Sequence, residues 1–490
     1  MEKEGKIVVD IRDVVTRLPE LRFTAPVNWQ IKEGQQWAVI GPNGSGKTLI
    51  ADIMQRKFAF KEGEVVFAGD GKVCDFIKSI AFRDIYSLAD CRNAYYQQRW
   101  NSTETDEMPT VEELLRKYAG SDCLMKALLA LFGIEDLLPK RLIFLSSGEL
   151  RKFLIVRMLL SRPRILILDN PFIGLDAPSR ELLVEMLGRM TRLEGVQVVL
   201  LLSNPEDIPE MVTHVLPVHD RTCLPPRTRE AFLSDKELIA CLFPTEGMLA
   251  TERVGRIHLP EDRNKIAASH EVTLRMEHVK IRYGSRTILE GLDWEIRNGE
   301  KWALLGPNGS GKSTLLSLVY ADNPQSYANT LYLFDKKRGS GESIWDIKKR
   351  IGYVSPEMHL YYKENVSVLR IVGSGFFDSI GLFRKCNEEQ ERIALAWMRV
   401  FGIERLRDRL FLTLSSGEQR LVLLARAFVK DPDLIILDEP LHGLDISNKK
   451  KAVAIIERFC DRPGKTLIYV THYPHEIPAC VDKRFELVRH

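Results

Sequence analysis

The stretch Gly306-Pro307-Asn308-Gly309-Ser310-Gly311-Lys312-Ser313 decides the reading of this chain. It occurs a second time, changed only at its last residue, as Gly41-Pro42-Asn43-Gly44-Ser45-Gly46-Lys47-Thr48. Both copies have the spacing of a loop that cradles a nucleoside triphosphate. The glycines let backbone N–H groups face phosphate oxygens, and the helix opening after the loop adds the positive end of its dipole. Lys47 and Lys312 are placed to reach the β- and γ-phosphates, and the hydroxyls of Thr48 and Ser313 to ligate Mg²⁺. Thr314 completes the second set of nucleotide contacts. A glycine-rich turn opening a helix is the plain alternative. It does not explain two matches, each after an apolar strand (Trp37–Ile40, Trp302–Leu305) and before a helical stretch. Two nucleotide-binding places follow.

Composition bounds the rest. A length of 490 residues allows two to four domains with ample core. With 70 Lys and Arg against 67 Asp and Glu, the net charge of +3 carries no polyanion-binding signature. Lys449–Lys451 reads as a solvated helix face rather than a binding patch. The eight cysteines contain no C-x-x-C pair, which argues against a zinc or iron–sulfur module and for a reducing, cytoplasmic setting. The opening Met1–Lys6 is charged and unlike a secretory leader. The apolar run Val196–Leu202 is far short of the ~20 residues that a membrane helix needs. Any membrane part of the process must come from another chain.

Laying the copies together separates matching residues by 265 to 269 positions: Gly41 from Gly306, Ser146 from Ser415, Asp169 from Asp438, Asn204 from His472. One module therefore occurs twice. Each begins with alternating strands (Ile7–Ile11, Val272–Met276) and a hairpin-like segment. The phosphate loop, a helix and an irregular middle follow. The apolar runs Ile165–Leu168, Leu434–Leu437, Val198–Leu202 and Thr466–Val470 read as buried parallel strands. The expected class is α/β, doubly wound, with a helical insertion in each copy. Residues 1–244 form the first domain, 245–270 a polar linker and 271–490 the second domain.

A second motif supplies the family. Leu145-Ser146-Ser147-Gly148-Glu149 and Leu414-Ser415-Ser416-Gly417-Glu418 each lie about twenty residues ahead of Leu168-Asp169-Asn170-Pro171 or Leu437-Asp438-Glu439-Pro440. Alone, such a segment is an N-cap and helix start. In this order the motifs resemble the ATP-binding cassette (ABC) ATPases, with their LSGGQ signature and LDEP strand end. Ser147 and Ser416 depart from it at the signature's first glycine. The resemblance implies two tandem P-loop NTPase domains, each with a parallel-sheet core, an antiparallel β subdomain and a helical subdomain. It also implies head-to-tail pairing around two ATPs, each touching one module's loop and the other's signature. The Gly306 site would then hold Lys312, Ser313, Asp438, Glu439 and His472, with Ser146 and Gly148 opposite. The Gly41 site would hold Lys47, Thr48 and Asp169, with Ser415 and Gly417 opposite. A tandem chain can close on itself, because a short tether raises effective concentration to the order of millimolar.

The copies are chemically unequal. Hydrolysis needs Mg²⁺ held through the strand-end Asp (Asp169, Asp438) and a carboxylate that orients and deprotonates water. Glu439 fits that role; Asn170, its counterpart, is a very poor base. His472, expected at the γ-phosphate by resemblance, is matched by Asn204. Tyr283, expected to stack on adenine, is matched by Leu18. The Gly306 site is therefore expected to hydrolyse ATP with Glu439 and His472, and the Gly41 site mainly to bind it. The alternative is that both sites turn over slowly.

What the work drives is less legible. The glutamine that senses a membrane partner in transporter cassettes is absent from Gly352-Tyr353-Val354-Ser355-Pro356-Glu357, and Gln97 or Gln98 stands in a diverged context. The stretches Arg338–Val354 and Gly375–Gly381 resemble tandem ATPases of the molybdate-transport, or photorepair, type. That likeness implies the ATPase component of molybdate or anion uptake, held at the inner face of the plasma membrane by a separate permease. Two other readings stay open: a ribosome-associated tandem ATPase, which would carry a longer charged linker, and a DNA-maintenance ATPase, whose excision-repair relatives insert zinc modules not seen here.

Overall fold

The computed structural model describes residues 5–488 apart from 70–71, 83–108, 119–120, 143–144, 146, 174, 176, 194, 245–258, 261–269, 284–285, 308, 321, 357, 359–361, 363–365 and 379–383. The chain divides into two compact units, one built chiefly from residues before Glu246 and one chiefly from those after it. Most of the 245–270 stretch, Gln97, Gln98 and Glu357 lie outside the described residues.

In the first unit, Trp37–Ile40, Gln197–Leu202 and Ile165–Asp169 form the middle of a seven-stranded sheet, with His214–His219 and Ile77–Ala81 flanking them. These five strands pair in parallel. They read as apolar runs because both faces are covered, and alternate residues serve opposite faces. Trp37, Val39, Ile165, Ile167, Val199 and Leu201 pack with Ile11, Trp29, Ile31 and the loop helix residues Ile50 and Ile53. Ala38, Ile40, Leu166, Leu168, Val198 and Leu200 pack instead with Leu129, Phe153 and Leu187 of the helical side. One short apolar strand thus glues two different layers.

A three-stranded antiparallel sheet (Val27–Lys32, Ile7–Thr16, Phe60–Phe67) covers the first face. Val27, Trp29 and Ile31 are buried while Asn28 and Gln30 between them are exposed, the alternation of a half-solvated strand. Trp29 meets Trp37 edge to face at 5.3 Å. The other face carries the helices Val111–Arg116, Asp122–Phe132 and Ser147–Leu159.

The second unit repeats the plan. Ile351–Val354, Leu434–Asp438, Thr466–Val470, Lys301–Leu305 and Lys483–Glu486 form a five-stranded parallel sheet in that order. The antiparallel sheet has four strands, with Arg286–Arg297 at one edge beside the long inner strand Val272–Tyr283. Its Trp294 meets Trp302 edge to face at 5.9 Å. Helices Val368–Gly373, Glu388–Phe401 and Ser416–Phe428 form the helical layer. There Trp397, Phe401, Phe428 and Phe459 are fully buried, with Trp397 and Phe428 ring centres 5.2 Å apart. The strands expected from sequence are present, the core ones a residue longer at several ends, where Asp169, Asp438, Gln197 and Lys301 are included, and the opening ones running on to Thr16 and Tyr283. Asp169 and Asp438 therefore end their strands still in register, which fixes their carboxylates at the sheet edge.

Trp397→Ala should remove the centre of the second unit's helical layer. A loss of about 3–5 kcal/mol is expected from the vacated volume, read as a lower urea midpoint for this variant against the parent.

Candidate nucleotide sites

Parallel register sets both sites. In the second unit Leu304 and Asp438 both pair with Val470. The residues just past these ends are Gly306, Glu439 and His472. In the first unit Ile40 pairs with Leu202 and Asp169 with Leu201. Gly41, Asn170, Ser203 and Asn204 follow. Ligands of open parallel sheets bind at this carboxyl edge.

The loops need their glycines. Each helix, Lys47–Met54 and Lys312–Val319, is preceded by a left-handed glycine, Gly46 at φ 111° and Gly311 at φ 95°, which a side chain would resist. A Cβ on Gly41 would stand 1.9 Å from the Val218 carbonyl oxygen, and one on Gly306 2.5 Å from that of Leu487. The lysines fold back across the loops. Lys47 Nζ donates to the carbonyls of Gly41 and Pro42 at 2.8 Å each. Lys312 Nζ does the same to Gly306 at 2.7 Å and Pro307 at 2.9 Å. Burial pulls the Lys47 ammonium down to about 8, with Asp169 opposing. An arriving phosphate would add counter-charge beside this buried amine. Ser45 and Ser310 are buried inside their loops. Asn43 accepts from the Ser203 hydroxyl at 3.1 Å. Asn308 lies outside the described residues, while Gly44 and Gly309 both have φ 80°.

At the first site Thr48 Oγ1 donates to Asp169 Oδ2 at 2.9 Å, and Asn170 Nδ2 to Asp169 Oδ1 at 3.0 Å. A hydroxyl beside a carboxylate is a hard-oxygen donor set that suits Mg²⁺. Ser313 and Asp438 offer the same groups at the second site, where Asp438 is buried and Ser313 exposed. The ion would supply charge neutralisation for the phosphates.

Glu439 is the focus of the second site. Its backbone is left-handed, φ 46°, and its N–H donates to the Val470 carbonyl at 2.9 Å. Asn170 has the same conformation, φ 51°, and bonds to Leu201 at 3.0 Å. Such a backbone is uncommon for a residue with a side chain and belongs with functional sites. Glu439 Oε1 lies 2.8 Å from His472 Nε2, and Oε2 lies 2.9 Å from His442 Nδ1. Burial alone would push this carboxyl up. The His442 and His472 imidazoles outweigh it and hold Glu439 well below the usual carboxylate range.

Beneath it, Arg420 of the signature helix is buried. It donates to the carbonyls of Asp438 at 2.9 Å, Pro440 at 3.1 Å and Ser355 at 2.7 Å, and also to that of Glu439. Burial lowers its guanidinium to about 10 against Asp438 and Glu439. Arg151 makes the matching bond to Pro171 at 2.6 Å in the first unit. Sequence reasoning passed over Arg151, Arg420 and His442. The 269-residue offset carried the signal: Arg151 matches Arg420, and Ile173 matches His442.

The remaining predicted residues divide. Ser415 caps helix Ser416–Phe428, accepting from the Glu418 N–H at 3.3 Å, and Gly417 is buried in its first turn. Gly148 sits in the first turn of Ser147–Leu159, while Ser146 lies outside the described residues. Asn204 donates to Asp207 at 3.3 Å. Tyr283 ends its strand, and its side chain also lies outside the description. Leu18 is exposed. An aromatic nevertheless borders the first loop: a Cβ on Gly46 would stand 3.1 Å from the Phe23 ring.

This architecture, with a phosphate loop, a strand-end Asp and a signature helix in each half, defines a tandem ABC ATPase. The chain belongs to that family: the ABC transporter family model matches residues 24–173 and 289–442. It is 36% identical to the ABC transporter ATP-binding protein ModF of Escherichia coli over 96% of this chain and 93% of that protein. It is 30% identical to an ABC transporter ATP-binding protein of Schizosaccharomyces pombe over 94% of this chain and 93% of that one. Among solved structures, an archaeal ribosome recycling factor crystallised with a ribosomal stalk protein superimposes with a TM-score of 0.52 at 20% identity, over 97% of this chain and 87% of that one. That last likeness concerns fold alone. Among the described residues no helix is long and apolar enough to cross a membrane.

Arg420→Met keeps the length of the side chain but strips three carbonyls at the strand end of their donor. A destabilisation of at least about 3 kcal/mol is expected, together with a fall in ATPase rate, checked by urea unfolding and phosphate release on the same sample.

Proposed function

We propose that this chain is a Mg²⁺-dependent ATPase whose second site hydrolyses ATP while its first site binds ATP and clamps the modules. One observation carries the reading: the half-buried Glu439 has its carboxylate oxygens 2.8 Å from His472 Nε2 and 2.9 Å from His442 Nδ1, where the first unit has the neutral Asn170. Glu439 orients the attacking water and takes its proton; His472 steadies that carboxylate and the terminal phosphate. Lys312, Ser313 and Asp438 bind the triphosphate and its ion, as Lys47, Thr48 and Asp169 do in the first site. Head-to-tail closure within the chain adds Ser146 and Gly148 to the Gly306 site, and Ser415 and Gly417 to the Gly41 site.

The work of hydrolysis energises uptake of a molybdate-type anion through a separate permease at the inner face of the membrane. Support comes from the identity to an ABC transporter ATP-binding protein over nearly the whole chain, and from the stretches Arg338–Val354 and Gly375–Gly381. Within Arg338–Val354, Trp345 is 57% exposed.

Glu439→Gln should lower ATP turnover by about 10²–10⁴-fold, the usual worth of a general base. Lys47→Ala should leave hydrolysis at the second site measurable. Phosphate release from the two variants checks this, and a Glu439→Gln protein that keeps most of its activity would overturn the assignment. The ATP-trapped Glu439→Gln protein should copurify with a membrane permease; recovery of ribosomes or DNA in its place would reject the transport role.

A further inference from the structure

The turn after Glu439 carries the same hydrogen bonds in both units, and its one change from an apolar to a polar side chain is at His442, which matches Ile173. His442 N–H donates to the Glu439 carbonyl at 3.2 Å, and Leu444 to Leu441 at 3.2 Å. In the first unit Ile173 donates to Asn170 and Leu175 to Phe172, each at 3.3 Å. Leu441 and Leu444, like Phe172 and Leu175, are buried and anchor the turn. The backbone therefore returns residue 442, or 173, over the side chain three positions earlier whatever that residue is. A histidine there brings a ring nitrogen 2.9 Å from Glu439 Oε2, and its side chain is 14% exposed. An isoleucine brings only methyl groups.

A carboxylate held at one oxygen keeps a soft torsion, because the terminal χ of Glu is broad. His472, from the loop after the next strand, engages Oε1 alone. Contact at Oε2 from a second direction fixes the plane of the group. We propose that His442 is a positioning residue for hydrolysis, locking the plane of the Glu439 carboxylate that His472 holds by its other oxygen. The inference rests on Glu439 as the base of the second site. It also accounts for the first unit as a set: Asn170, Ile173 and Asn204 replace all three members of the Glu439–His442–His472 arrangement, so neither the base nor its clamp survives there.

Three variants test it in the full chain by steady-state ATP hydrolysis. His442→Phe keeps the ring and removes the nitrogen, and should lower kcat about tenfold or more, the worth of a contact to a charged group, with KM for ATP within about twofold of the parent. His442→Asn, whose amide nitrogen can stand where Nδ1 stands, should restore most of the rate. In a Glu439→Gln background His442→Phe should add no further loss, because the two residues act as one unit. A His442→Phe protein with parental kcat would overturn the proposal, as would failure of His442→Asn to restore the rate, or an equal further loss in the Glu439→Gln background. Unfolding midpoints matching the parent separate these effects from misfolding. An inactive Glu439→Gln with a fully active His442→Phe defeats this inference alone, whereas an active Glu439→Gln removes the base assignment beneath it.

Discussion

Parallel pairing is the constraint on which each half of the molecule depends. Neighbouring parallel strands point the same way, so their carboxyl ends share one edge, and whatever follows them is gathered there without long-range design. Val470 pairs with both Leu304 and Asp438, and the residues after these three strands are a glycine loop, a glutamate and a histidine. The strands can end together only because both faces are covered. Odd and even residues of Trp37–Ile40 enter different cores in the first unit, one shared with the antiparallel sheet and one with the helical layer. Loss of either cover would expose an apolar face and loosen the edge that holds the site.

The two halves separate scaffold from chemistry. Asn170 and Glu439 share a left-handed backbone, a hydrogen bond to the adjoining strand and an arginine reaching the residues beside them. The phosphate loops agree in the fold-back of Lys47 and Lys312. Around the base, what differs is in the side chains: a carboxylate becomes an amide, and two imidazoles become an amide and an alkyl group. Such changes cost the fold little, since Asn tolerates the left-handed region better than Glu. They remove the ionised acceptor that proton transfer requires. A module can therefore keep its nucleotide-binding frame while losing the groups that attack the nucleotide.

Local order in the sequence by itself determined the duplicated α/β plan. The loops Gly41–Thr48 and Gly306–Ser313, the strand-end Asp169 and Asp438, the signature segments and the Glu439/Asn170 contrast were all legible, because each is a short motif whose chemistry resides in neighbouring residues. Only the tertiary structure decided what contacts the base. His442 is three residues from Glu439, yet its role depends on a turn that brings the ring back. Arg420 is remote from the strand end whose carbonyls it holds, and Phe23 reaches Gly46 although the aligned aromatic position is the exposed Leu18. Spacing along a chain reports which groups are present, whereas the direction in which a side chain points is set by backbone torsions and packing that no single segment contains.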